Sequence, residues 1–523
     1  RATCQLGVLP CNGMVYLPPH ACTCESERKV NGFLAVARGT RRPYPDPPRY
    51  GGPRFRAGPA YGEVKASSDP QIPGEWPTFR HDLARTGCAA TTLPDKLDVL
   101  WERPIGRRPT APVCAGGELY VAARDEHVLW ALDATTGEPA WQYRTSGRID
   151  SPPTVHSGLV VFGCRDGWLR CLRATDGALV WRFRGAAEER QIVVREQLES
   201  VWPLHGATLV MDGKVYCAAG RASVLDGGVS VFCLDLFSGK VLAKTTFRDE
   251  GGSKKGGGKG RDALLEVLSF VDGRITMRRQ CLTPELEPAP PVDHLQSATS
   301  LLDDNFFHRS YWGYAKKVAR NTTGNRNAAG YIMAIDGETA YAYARKRQYY
   351  IGHIKGFERH LFATGLLPEQ EKLTPGTRKP RAHKSFKRVI GKYAPRGIAL
   401  KWTTDPTVLV KGMTVAGPKL VVAGPPFELH PSSFLVDPAT DGIRLASAPD
   451  KAEAANAVVA KAHAGLSGKE PPRLIVLAKD TGATQISIPL PSSPVFDGLI
   501  AACGRLYVCR EDGVVTCLGA TVP

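Results

Sequence analysis

No two of the fourteen cysteines are adjacent in this chain, and none are spaced Cys-x-x-Cys. Both the dithiol redox motif and the haem-attachment signal are therefore excluded. No run approaches about eighteen consecutive apolar residues, so no segment reads as a membrane-spanning helix. The chain opens on Arg1, without methionine or a basic-then-apolar leader, which reads as a mature or excised chain and leaves the compartment open. What is present, 523 residues with 43% hydrophobic and 23% charged, suffices for one large core or two ordinary ones.

The net charge of +17 invites a polyanion-binding reading. Its placement weakens that reading, because residues 38–56, 251–261 and 371–396 carry the whole excess between them. These stretches are rich in Gly, Pro, Lys or Arg and lack apolar periodicity, so they read as solvated loops and linkers. Nucleic acid is not the expected partner. The stretch "GGSKKGGGKGR" also fails as a phosphate loop, since Ser253 stands where the first glycine belongs and Gly260 follows Lys259. His20, Cys22 and Cys24 in "PPHACTC" are the one short-range group able to chelate zinc or a soft metal. Their spacing matches no established zinc pattern, so disulfides or buried thiols are the favoured reading.

Two phrases forty residues apart organise the rest: "ALDATTGEPAW" at 131–141 and "CLRATDGALVW" at 171–181. A period of that length marks a repeat architecture. Within one unit, short runs rich in β-branched and aromatic residues alternate with turns carrying Gly beside Ser or Asp, which predicts four antiparallel strands, one propeller blade. The pattern recurs to the C-terminus, predicting an all-β propeller of seven blades, with eight the alternative. The last unit lacks a clear fourth strand while "DVLWERPIG" around Trp101 resembles an orphan one, so the ring is expected to close by pairing the two. Ala131, Cys171, Cys233 and Cys517 fall on third strands, where a small buried side chain is wanted. Gly137, Gly177 and Gly239 take the following turns, and Trp141 and Trp181 cover apolar area between blades.

Ala131, Asp133, Thr136, Gly137 and Trp141 stand where the tryptophan-docking repeat of pyrroloquinoline-quinone-type propellers has its alanine, aspartate, threonine, glycine and tryptophan. The chain resembles that family, which includes quinoprotein alcohol dehydrogenases and a cofactor-free outer-membrane protein assembly lipoprotein. "EWPTFRHDLARTG" at 75–87 resembles the opening of many bacterial envelope propellers. "WRFRGAAEERQIVVREQLESVWPLHG", "LLDDNFFHRSYWGYAKK" and "VLPCNGMVYLPPHACTC" resemble large planctomycete-type propeller proteins. The resemblance implies a periplasmic, envelope or secreted location, and makes residues 1–37 the tail of a preceding propeller. Residues 38–75 then read as a linker and 76–523 as the propeller, with inserted loops near 251–261, 284–327 and 366–400.

Quinoprotein dehydrogenases of the family hold their quinone against a vicinal disulfide and a calcium ion, with an aspartate as base. This chain has no vicinal cysteines, and no position maps onto the calcium ligands or the base. The reading is thus a non-catalytic binding or scaffold module for a protein or glycan partner, with no cofactor. A quinone- or metal-dependent oxidoreductase using PQQ and calcium is the alternative, and polyanion binding through the basic inserted loops a further one. No catalytic residue is assigned. Candidate binding residues lie in loops, where function on a rigid scaffold concentrates: Asp303, Asp304, His308, Arg309 and Trp312 in one, Arg195, Glu199 and Trp202 in a second, Arg221 and Asp226 in a third.

Overall fold

The computed structural model describes residues 8–17, 34–37, 52–64, 73–194, 196–204, 206–223, 226–248, 267–297, 312–316, 327–345, 359–367, 370–371, 397–427, 435–436, 443–444, 457 and 460–521. The repeated phrase behaves as its residues require. In blade 2 the strands Thr154–His156, Leu159–Gly163, Trp168–Arg173 and Leu179–Arg184 pair antiparallel in chain order. Ser157 and Gly158 take φ of 50° and 69° at the first hairpin, the left-handed pair that matches strand twist in a two-residue turn.

Eight such sheets follow one another. Blade 1 runs from Val113–Ala115 to Pro139–Arg144, and blade 3 from Leu209–Met211 to Val241–Phe247. Blade 4 has three strands between Ser269–Val271 and Gln280–Leu282. Blade 5 is built from His294–Ser297, Trp312–Ala315 and Ala329–Gly330. Blades 6 and 7 begin at Ile332–Asp336 and Gly412–Ala416, and blade 8 at Pro494–Ala502. Apolar clusters join neighbouring sheets, the largest uniting blades 7, 8, 1 and 2.

Closure is by the N-terminal strand. Asp98–Pro104 is the outer strand of blade 8, and Trp101 lies opposite Cys517. Pairing the two ends of the sheet series leaves no exposed seam strand there.

The eight blades are the alternative count, one more than the seven favoured from the sequence. Two strands of blade 5, His294–Ser297 and Trp312–Ala315, fall in a span read as an inserted loop. Their apolar signal is masked because His294 and Gln296 are buried on this sheet, bonded to the carbonyls of Val292, Arg278 and Ala315. A short strand, Phe55–Ala57, also stands within the span read as linker, and adds a fifth strand to blade 2 beside Leu179–Arg184. Residues 9–37 supply a separate three-stranded antiparallel sheet, Leu9–Cys11, Met14–Leu17 and Leu34–Ala37.

Each docking tryptophan reaches across to the following blade. The Trp141 indole donates to Ala174 O (2.7 Å) and Trp181 to Leu236 O (2.9 Å). A Cβ on Gly177, whose φ is +71°, would stand 2.5 Å from Trp141, so this glycine answers both a backbone and a packing demand. Trp101 and Trp402 do the same against Gly137 and Gly482. Small residues face them across the hairpin: Trp141 is paired with Ala131, Trp181 with Cys171 and Trp101 with Cys517. Ala131, Cys171, Cys233 and Cys517 are all buried packing residues.

Candidate functional site

Residues 74–89 form an axial strap. Gly74 O accepts from Cys503 N of blade 8, Trp76 exchanges backbone hydrogen bonds with Cys114 of blade 1, and Pro77 O accepts from Val155 N of blade 2. Arg85, fully buried, donates to Thr208 O at the start of blade 3 (2.9 Å) and to Leu268 O before blade 4 (3.0 Å). Thr86 and Gly87 accept from Ile335 of blade 6 and Val415 of blade 7, and Cys88–Ala89 runs parallel to Gly412–Ala416. Arg80 completes the circuit: its guanidinium forks onto Asp497 of blade 8 at 2.8 Å, bonds Met333 O, and lies 4.9 Å over the Trp312 ring of blade 5. One segment thus touches every blade, through backbone carbonyls and two buried arginines.

On the face carrying the second-to-third-strand and interblade loops, a second buried network joins blades 1, 2 and 3. Asp150 accepts from Arg148 (2.5 Å) and Arg165, and Arg165 donates onward to Glu199 (2.6 Å). Burial raises the Asp150 carboxyl, but the charges of Arg165, Arg148 and Arg124 outweigh it and hold the group well below the usual carboxylate range. The chain is a locked ionic one, and a carboxylate so stabilised is a poor base.

Glu199 anchors a hairpin, Gln191–Val194 paired with Gln197–Ser200. Its inward residues include Gln197, bonded to His127 of blade 1 (3.0 Å). Outward, Val193 and Leu198 lie directly opposite each other, 71% and 57% exposed. An adjoining cluster holds Asp226 between Arg190 and Arg221, both at 2.7 Å, while Trp202 donates to Asp226 O and stacks under Arg190 at 5.0 Å.

Four of the expected site residues, Glu199, Trp202, Arg221 and Asp226, therefore gather on one loop face. Trp312 stands apart, buried beneath Arg80 on the axis. Asp303, Asp304, His308, Arg309 and Arg195 lie outside the described residues, as do His20, Cys22, Cys24 and nearly all of the basic stretches 251–261 and 371–396. Sequence reasoning missed Arg80, Arg85 and Asp150, although two arginines in a motif with no periodicity were the available signal.

These features define a class: a β-propeller of PQQ-like repeats. The sequence profile of the family described as outer membrane protein assembly factor BamB matches residues 95–262, and over that span the chain is similar to this family. It is 31% identical over 195 residues to outer membrane protein assembly factor BamB of Yersinia pestis, covering 29% of this chain and 48% of that one. To BamB of Nitrosomonas eutropha it is 35% identical over 153 residues, 28% of this chain and 32% of the relative. The chain thus spans about half, or less, of the length of these curated relatives. Among solved structures, quinohemoprotein alcohol dehydrogenase from Comamonas testosteroni superposes with a TM-score of 0.49 at 13% identity, covering 86% of this chain and 82% of that one. BamB from Moraxella catarrhalis gives 0.41 at 12%, covering 82% and 99%.

No three His, Cys, Asp or Glu side chains converge as a metal site among the described residues.

Proposed function

We propose that this propeller is a non-catalytic binding module of the bacterial cell envelope, taking a protein partner on the loop face at hairpin 191–200. The observation that carries the reading is the cross-strand pair Val193–Leu198, apolar and outward on a hairpin whose root is fixed by buried Glu199. Exposed apolar side chains paired on one face of a hairpin favour association, because burying them removes apolar surface from water. The BamB-type repeats support the envelope location. No helix among the described residues is long and apolar enough to cross a membrane.

The test is a photo-crosslinking side chain placed at Val193 and, as a control, at Leu242 on an outer strand, in the native cell. A discrete protein adduct at 193 and none at 242, lost in Val193→Asp/Leu198→Asp, supports the reading. Equal labelling at both positions, or tight stoichiometric uptake of quinone and calcium by purified protein, overturns it.

A further inference from the structure

The turn opening the second strand of a blade is a two-residue left-handed hairpin, occupied by Gly116–Gly117, Ser157–Gly158, Asp212–Gly213 and Asp272–Gly273 in blades 1 to 4. In blade 8 it is Cys503–Gly504, with Cys503 at φ 49°. Positive φ is tolerated by Gly, Asp and Asn and is unusual for cysteine. The strap brings this turn to the ring's seam: Gly74 O accepts from Cys503 N, and two residues on Trp76 pairs with Cys114 of blade 1. Gly504 N is further held by Thr91 Oγ1 at 2.9 Å. Cys114 is buried and Cys503 exposed, and the backbone N–H groups of both donate to carbonyls of the same strap, two residues apart at Trp76 and Gly74.

From this geometry we propose that Cys114 and Cys503 form a redox-controlled disulfide that joins the first blade to the last. Beside the non-covalent closure by Asp98–Pro104, it gives the ring a covalent one. The exposed thiol is the nucleophile: its acidity is increased because the Cys114 thiol hydrogen-bonds to its thiolate, although burial works against this. Cys503 thiolate attacks a small oxidised disulfide such as glutathione disulfide, expelling one glutathione thiolate, which takes the proton of Cys114. Cys114 then attacks Cys503 Sγ and expels the second glutathione, which is protonated from water. One S–S bond breaks and one forms; two electrons and two protons leave on two glutathione thiols.

The test uses the purified full chain, so its outcome is independent of partner or location. After incubation with glutathione disulfide and alkylation of the remaining thiols, non-reducing digestion and mass spectrometry are expected to show the Cys114 and Cys503 peptides linked, two hydrogens lighter than their sum. The oxidised protein is expected to melt roughly 3–10 °C above the protein in dithiothreitol. Cys503→Asp, the residue that the turns of blades 3 and 4 carry, is expected to melt with the reduced wild type under both conditions. A second variant, Cys114→Ala, is expected to lose the redox difference as well. Absence of the linked peptide, pairing of Cys503 with another cysteine, equal melting of both wild-type forms, or a persisting redox shift in Cys503→Asp would each overturn the proposal.

Discussion

Trp181 and Trp141 occupy the same place in successive repeats, but their surroundings separate them. Trp181 is wholly buried, covered on its outer side by Phe55–Ala57, whereas Trp141 keeps part of its ring in solvent. Replacing Trp181 with alanine is expected to cost about 3–5 kcal/mol, and Trp141→Ala measurably less, read as the difference in denaturant midpoint. At Asp150 the sign of the pH effect follows from its lowered pKa. The stabilisation it contributes is complete above the unfolded value of about 3.9 and is lost as pH falls from there toward the folded value. Asp150→Asn leaves Arg148 and Arg165 short of a counter-charge, with an expected loss of about 3–5 kcal/mol at neutral pH. Its stability is expected to fall less steeply than the wild type's between roughly pH 4 and 2, a contrast that parallel urea titrations at each pH would measure.

Elements were legible where side chains alternate and turns carry glycine. The strand around Trp101 could be paired with that of Cys517 because each lacked what the other supplied, and the register places these two residues opposite each other. Blade 5 was hidden because buried polar groups, His294 and Gln296, interrupt the apolar alternation. The strand Phe55–Ala57 was hidden because three residues among prolines and arginines carry no periodicity, and only an existing sheet edge gives them a partner. Tyr61 beyond it reaches Ser238 O of blade 3, so this strand spans a blade junction. Deleting residues 52–64 is expected to red-shift tryptophan emission, as Trp181 gains solvent, and to lower the melting temperature while leaving the strand content nearly unchanged by circular dichroism. An unshifted spectrum would show that the added strand does not shield the indole.

For the whole molecule, the site residues were partly readable from loops dense in Arg, Asp and Trp, and four of them converge through a hairpin that no local pattern announced as protruding. The axial strap was the least readable part, because its meaning lies in contacts with blades hundreds of residues away. Arg80 pairs with Asp497, 417 positions later. Arg80→Ala is expected to remove more stability than any exposed arginine, about 3–5 kcal/mol, since it strands a buried carboxylate. The companion variant Arg80→Ala/Asp497→Ala is expected to recover part of that loss, and a double-mutant cycle in denaturant would measure the coupling.

Residues 74–104 leave the ribosome before any blade exists, yet they contain both the hub against which all the blades dock and the strand that completes the final one. The strand Asp98–Pro104, made early, is therefore among the last to find its partner. Until translation passes Asp497 and reaches Gly519, Arg80 lacks its buried carboxylate and the strand Asp98–Pro104 keeps an open edge. That interval is when the nascent chain is most exposed to mispairing with a neighbour, so shielding this N-terminal stretch during synthesis should raise the yield of folded protein more than shielding any single blade.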